Sequence, residues 1–209
     1  MAELGVGNHD NPRIASRVGG AQARIAAMLL LTLRGTPTIY YGDEIGMTDG
    51  DIPPELERDP VAKTVPGFGR DPERTPMQWN ASENAGFSDG EPWLPVAENH
   101  REINVEAQQK DPYSMLTLHS KLIALRRSED ALSVGSYSLF EVRNDLLAYV
   151  REHDGHRFLV ALNFGDEGSS FETTVRGRIV LSTHLDREGE EIEDGVSLRP
   201  NEGLIVKVG

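Results

Sequence analysis

At Leu132 the apolar residues of this 209-residue chain change their period, and that change fixes the broad architecture. Up to that point they recur at helical or buried-strand spacing, and beyond it they alternate. Residues 136–142, 146–151, 157–163, 171–175, 179–182 and 204–208 are expected strands, separated by polar or glycine-containing turns. Asp154-Gly155, between two of them, is a two-residue hairpin signal. Residues 133–209 therefore read as an antiparallel all-β sandwich. Its acidic run, 188–194, is expected to be a solvated hairpin loop, because calcium loops need ligands at a tighter, regular spacing. No internal repeat is apparent.

Ahead of the switch the pattern is α/β. Leu4 and Val6 mark a short strand at 4–7. Residues 20–34 read as a helix, with Ala21, Ile25, Met28, Leu29, Leu31 and Leu33 spread round most of its circumference and Gly35 and Pro37 ending it. A helix that apolar must be covered on more than one side. Thr38-Ile39-Tyr40-Tyr41 reads as a buried strand, so residues 4–42 form one βαβ unit of a parallel sheet. Asp111-Pro112 looks like an N-cap with proline at the first helical position. The helix it opens carries Met115, Leu118, Leu122 and Leu125 on one stripe and ends at Arg126-Arg127, whose charges suit the negative end of a helix dipole. His119 within it reads as a packed or surface histidine rather than a ligand.

Between Met47 and about Pro112 periodicity disappears. A loop this long inside a compact domain is usually functional. Phe68, Met77, Trp79, Phe87 and Trp93 are costly to leave in a solvated tether, so the loop is expected to pack on itself and over a pocket.

The chemistry gathers at Val6-Gly7-Asn8-His9-Asp10-Asn11-Pro12-Arg13, a polar turn at the end of a strand. Strand-end turns hold catalytic groups on a rigid scaffold in parallel barrels. A polar turn whose Asn and Asp satisfy their own backbone has the same composition. Net charge adds a boundary: at -13, with a sequence pI near 4.9, the chain repels nucleic acid and anionic membrane surfaces, and a neutral substrate fits better. Without cysteine there is no disulfide framework and no thiolate metal site. The longest apolar run, residues 25–33, is about half a membrane span. Met1-Ala2-Glu3 does not open like a secretory leader, and the expected location is cytoplasmic.

Three motifs in order carry a resemblance: Asn8-His9-Asp10-Asn11; then Gly35-Thr36-Pro37 with Tyr40-Tyr41-Gly42-Asp43-Glu44-Ile45-Gly46-Met47; then Gly69-Arg70-Asp71-Pro72-Glu73-Arg74-Thr75-Pro76-Met77-Gln78-Trp79 with Asn84-Ala85-Gly86-Phe87. Together they resemble the α-glucosidase and oligo-1,6-glucosidase branch of glycoside hydrolase family 13, the α-amylase superfamily. The resemblance implies the carboxyl-terminal part of a (β/α)8 TIM barrel over 1–132, with strands seven and eight at 4–7 and 38–41, followed by a domain C sandwich at 133–209. It also implies that the nucleophilic Asp and the acid/base Glu of the retaining mechanism belong to strands outside this chain. Asp10 would be the third carboxylate, a transition-state stabiliser, with His9 donating to the same sugar hydroxyls. Asn8, Asn11, Arg13 and Arg70 would bind substrate, Asn11 tuning linkage and Arg70 closing the non-reducing end of the pocket. Arg74 would anchor the loop, and Asp43-Glu44 would hold the top of strand eight. No cofactor or metal is implied.

The expected function is that of a retaining α-glucosidase acting on terminal α-linked glucose of maltose, sucrose or short oligosaccharides, inactive as an isolated chain. Its expected partners are that substrate and a separate amino-terminal barrel fragment. A trehalose or isomaltulose synthase-like transglycosylase and a non-catalytic carbohydrate-binding module are the competing readings.

Overall fold

The computed structural model describes residues 3–65 and 67–209; Met1 and Ala2, which entered the reading of the amino terminus, lie outside the described residues. In chain order the elements are strand β1 (Glu3–Gly5), helix α1 (Ile14–Thr32), strand β2 (Thr36–Thr38), short helices α2 (Pro60–Thr64) and α3 (Val105–Gln109), helix α4 (Met115–Ser128), the single turn α5 (Asp130–Ser133), and strands β3 (Ser136–Arg143), β4 (Leu146–His153), β5 (His156–Asn163), β6 (Ser169–Glu172), β7 (Gly177–Ser182), β8 (Glu191–Ile192), β9 (Gly195–Leu198) and β10 (Gly203–Val208). Two compact units result. One gathers Arg24–Pro37 and Leu118–Gly209, the other Gly5–Ala23 and Thr38–Thr117.

The first unit is built on a six-stranded antiparallel sheet of order β3-β4-β5-β10-β7-β8, with β6 and β9 forming a second, two-stranded sheet. Leu146, Ala148, Leu159, Ala161, Ile179, Leu204 and Val206 of the large sheet pack with Phe171, Val196 and Leu198 of the small one, an unequal sandwich. The Asp154-Gly155 hairpin forms as expected, both residues at positive φ and His153 paired with His156. The alternation expected of these strands describes only one face. Tyr149, Phe158, Val160, Leu162 and Ile205 on the opposite face are also fully buried, so β5 and β10 read as continuous apolar runs. That second face needs a cover, which is why residues of α1 and α4 group with the strands and the units do not follow a border at 132/133.

Two arginines close the carboxyl end of α1. Arg126 donates to the carbonyls of Leu31, Leu33 and Gly35 at 2.8, 3.0 and 2.7 Å. Arg151, fully buried, donates to the carbonyls of Thr32, Leu132, Gly135 and Ser136. Arg126 was expected to serve its own helix dipole; it serves the orphan carbonyls of another helix instead. Burial lowers the pKa of both guanidiniums.

Other boundaries also moved. The strand expected at 38–41 lies at β2, because Tyr40 and Tyr41 are drawn into a turn ending at Gly42 (φ 89°). β1 stops at Gly5 rather than residue 7. Helix α1 begins six residues before the expected start, with non-helical dihedrals at Gly19, since Asp49 ties down its first turn, its carboxylate accepting from the Arg13 N–H and its own N–H donating to the Ser16 hydroxyl. The cap of α4 is Ser114, whose hydroxyl accepts from the Thr117 N–H at 3.1 Å, while Asp111 instead accepts from Tyr113 in a local turn. His119 is buried in α4, as a packed residue. The acidic run is not all loop: it contains β8, with Ile192 in the core.

The second unit is mostly irregular, as expected. Ile45, Met47 and Met77 form its core, with Ile103, Val105 and Leu116 against them. Side-chain amides hold the backbone: Gln78 donates to the Ile103 carbonyl at 2.6 Å, and Gln108 donates to the Ile45 carbonyl at 2.7 Å. Of the loop residues expected to pack on one another and over a pocket, Met77 is buried, and Trp79, Phe87 and Trp93 line a cleft with it. Phe68, Trp79, Phe87 and Trp93 are each about half exposed or more. Among the described residues, no helix is long and apolar enough to cross a membrane.

Candidate functional site

The turn after β1 is shaped by its own asparagines. Asn8 Oδ1 accepts from the Asp10 N–H at 2.8 Å and from Asn11 Nδ2 at 3.0 Å. Both asparagines were expected at the substrate, and the structure engages them first with each other. The effect is to raise His9 and Asp10 out of the turn, their side chains 67% and 48% exposed.

Asp10 is gripped from one side. Its Oδ1 accepts from Arg70 Nη1 at 2.8 Å and Arg74 Nη2 at 3.1 Å. Among the described residues, its Oδ2 meets only His9 Nε2, at 3.3 Å. The hydrogen bond from Arg70, helped by the nearby charges of His9 and Arg74, holds the Asp10 carboxyl below the usual range, so it is an anion at neutral pH. Arg74 also donates from Nε to the His9 carbonyl at 2.8 Å. It therefore belongs to the site rather than to loop anchoring alone.

Arg70 is itself fixed. Its Nε and Nη2 form a fork on Asp59, at 2.6 Å to Oδ2 and 3.1 Å to Oδ1. The Asp59 side chain is fully buried and also accepts the backbone N–H groups of Val61 and Arg70, each at 3.0 Å. Asp71 answers from the other strand of the loop, its Oδ2 accepting the N–H groups of Arg58 and Asp59 at 2.5 and 2.8 Å. These hydrogen bonds, the Arg70 fork above all, depress the Asp59 pKa far below the aspartate range and raise that of Arg70. Asp59 was missed from the sequence. The signal was present: Arg58-Asp59-Pro60 and Arg70-Asp71-Pro72 repeat one tripeptide, and each aspartate holds the backbone of the other copy.

Arg13 corrects an expectation. It was placed at the substrate, yet it is fully buried, with Nη1 donating to the Tyr41 carbonyl at 2.6 Å and its guanidinium 5.1 and 4.7 Å from the Tyr40 and Tyr41 rings. A side chain at Gly42 would collide with that guanidinium and with Met47, so glycine is required there. Asp43 lies under the turn, its Oδ2 only 2.5 Å from where a Cβ on Gly7 would sit. It is 3% exposed, and burial, partly opposed by Arg13, pushes its pKa up to about 6. Glu44 accepts the Gly42 N–H at 2.7 Å, a loop-holding contact as expected.

Beside Arg74 lies a cleft of about 480 Å³ walled by Tyr41, Trp79, Phe87 and Trp93, with Glu44 at its edge. Exposed rings next to a fixed carboxylate and a histidine are suited to sugars, whose C–H faces stack on aromatics while their hydroxyls need ionic partners. His9, Asp10, Arg70 and Arg74 are thus brought together in one cluster, with Arg74 also lining the cleft, whereas Arg13 is buried away from solvent.

The model of the alpha amylase catalytic domain matches residues 1–135. The chain is 38% identical over 228 residues to the oligo-1,6-glucosidase of Halalkalibacterium halodurans, covering 95% of this chain and 41% of that protein. It is 44% identical over 174 residues to the salivary alpha-glucosidase of Anopheles gambiae, covering 80% and 29%. The trehalulose synthase MutB from Pseudomonas mesoacidophila superimposes with a TM-score of 0.88 at 33% identity, over 99% of this chain and 43% of that one. The chain thus spans about two fifths of the length of such relatives.

Proposed function

The chain belongs to the alpha-amylase family, and from that premise we propose that residues 1–132 supply strands seven and eight of a (β/α)8 barrel to a retaining α-glucosidase site. Residues 133–209 are then its domain C. The observation that carries this reading is Asp10: an anionic carboxylate on a strand-end turn, clamped on Oδ1 by two arginines and open on Oδ2 beside His9. Such a group is suited to gripping sugar hydroxyls and to stabilising positive charge that develops on the ring. Its match to the third carboxylate of the family motif, rather than its geometry, gives it this stabilising role and leaves nucleophilic attack to another strand. The nucleophile and acid/base are therefore assigned to segments beyond this chain, whether in the same polypeptide or in a partner, and the 209-residue chain alone is expected to be inactive. Substrates proposed are α-glucosides with a terminal glucose, such as maltose, sucrose or short oligosaccharides; the proposed location is the cytoplasm.

The experiment is kinetic. In the protein that carries this segment together with the catalytic carboxylates, Asp10→Asn should lower kcat/KM on p-nitrophenyl α-glucoside by roughly 100-fold or more. An unchanged kcat/KM would remove Asp10 from the chemistry. A second reading, glucosyl transfer or sucrose isomerisation, is supported by the likeness to trehalulose synthase at 33% identity. The two differ in whether water or a sugar accepts the glucosyl group. Product analysis on sucrose separates them: glucose plus fructose for hydrolysis, an isomeric disaccharide for transfer.

A further inference from the structure

The duplicated Arg-Asp-Pro segments do more than tie down a loop. Arg70 has three nitrogens able to reach carboxylates, and the side of the guanidinium formed by Nε and Nη2 is taken by Asp59. With that side occupied, the Nη1 side of the guanidinium is left facing away from Asp59, and Nη1 donates to Asp10 Oδ1 at 2.8 Å. Asp59 cannot itself move to follow Arg70. Its carboxylate is buried, two backbone N–H groups hold it, and Asp71 holds its own N–H. We propose that Asp59 is a positioning residue for Asp10, acting through the Arg70 fork, with Asp71 fixing Asp59 in turn.

The proposal deepens the α-glucosidase reading and rests on it only for what Asp10 does to a sugar. The relay from Asp59 to Asp10 is a property of this chain and is measured in it. The charged groups facing Asp10 are His9, Arg70 and Arg74. Replacing Asp59 by asparagine has two opposite electrostatic consequences there. Removing a nearby negative charge by itself makes Asp10 easier to ionise and lowers its titration midpoint. Releasing Arg70 from its orientation takes a charged donor away from Asp10 and raises the midpoint. The sign of the change therefore separates a positioning role from a mere through-space charge.

The test is the titration of the Asp10 carboxyl carbon by NMR in the 209-residue chain, wild type against Asp59→Asn, with a thermal melt of each. The expected result is an upward move of the Asp10 midpoint toward the ordinary aspartate range. A midpoint that falls or stays in place, with or without a lower melting temperature, overturns the proposal. If Asp59→Asn does not fold, the wild type decides: rotation about the Arg70 Cζ–Nε bond should be slower than in the exposed Arg101 by roughly tenfold or more. Equal rotation rates overturn it. A raised midpoint combined with a catalytically neutral Asp10→Asn would leave the positioning role standing and remove the glycosidase reading.

Discussion

The chain holds two ion clusters built from the same parts and used in opposite ways. Near the turn after β1, Arg70 lays its fork on the buried Asp59 and spends its last nitrogen on the half-exposed Asp10. In the β-sandwich, Arg199 lays its fork on the partly exposed Asp186, at 2.7 Å to each oxygen, and gives its remaining contacts to Glu202, whose side chain is fully buried. Arg187 and the Arg199 backbone N–H complete Glu202 at 3.1 and 2.8 Å. In that cluster each oxygen of Asp186 and Glu202 accepts from the protein. At Asp10 one oxygen is left facing outward with only His9 beside it. A structural cluster and a candidate site thus differ in which acid the fork holds: fixing the buried one frees the exposed one for a ligand. His184, Asp186 and Glu202 lie close enough together to suggest a metal group, but two arginines already neutralise their carboxylates.

Activity should separate the clusters most widely. In the active protein, Glu202→Gln should leave kcat/KM within about twofold, against the loss of roughly two orders of magnitude expected for Asp10→Asn. A Glu202→Gln variant as impaired as Asp10→Asn, at a temperature where both are folded, would break the comparison. Stability should reverse the ranking. Glu202→Gln leaves Arg187 and Arg199 short of a charged partner and should cost about 3 kcal/mol by denaturant unfolding, while Asp10→Asn, at an exposed carboxylate, should leave the unfolding midpoint nearly unchanged.

The regions should also answer pH with opposite sign. Hydrogen bonding from Arg199 holds Asp186 at about 2, so its contribution is present above the ordinary aspartate value of 3.8 and is lost as pH falls toward 2. Asp43 behaves in reverse. Raised to about 6 by burial, it stabilises the fold when protonated, fully below 3.8, and that contribution is lost as pH rises through 6. Asp43→Asn should therefore flatten the decline between those values and add on the order of 1 kcal/mol at neutral pH. Melting curves from pH 4 to 7 that keep the same slope in the variant would place the titrating group elsewhere.

What was legible in the sequence follows from how far each partner lies along the chain. Periodicity located most of the sandwich strands because apolar character is written within each strand whatever its partner, and the Asp154-Gly155 hairpin because that one pairing is local. It missed β9 and β8, four and two residues long, since an alternation over so few positions does not stand out from a loop. The His9-Asp10 turn and Arg70 were found through contiguous motifs. Arg13 was misplaced because a cation after a polar strand-end turn looks exposed, and its burial depends on Tyr40 and Tyr41 folding over it. Arg126 and Arg151 were unreadable as caps, because the carbonyls they serve on α1 lie about a hundred residues away. Asp59 was within reach of inspection, as half of a repeated tripeptide, but a repeat of three residues carries no meaning until both copies are seen to hold each other.

If the open oxygen of Asp10 serves a glucosyl transition state rather than the ground state, ligands that mimic the two must feel its loss differently. Calorimetric titration of the active protein and its Asp10→Asn variant would compare a cationic, glucose-configured iminosugar with neutral methyl α-glucoside. The variant is expected to lose roughly 100-fold or more in affinity for the iminosugar and less than about tenfold for the glucoside. Equal losses for the two ligands, or no loss for either, would contradict that role of Asp10.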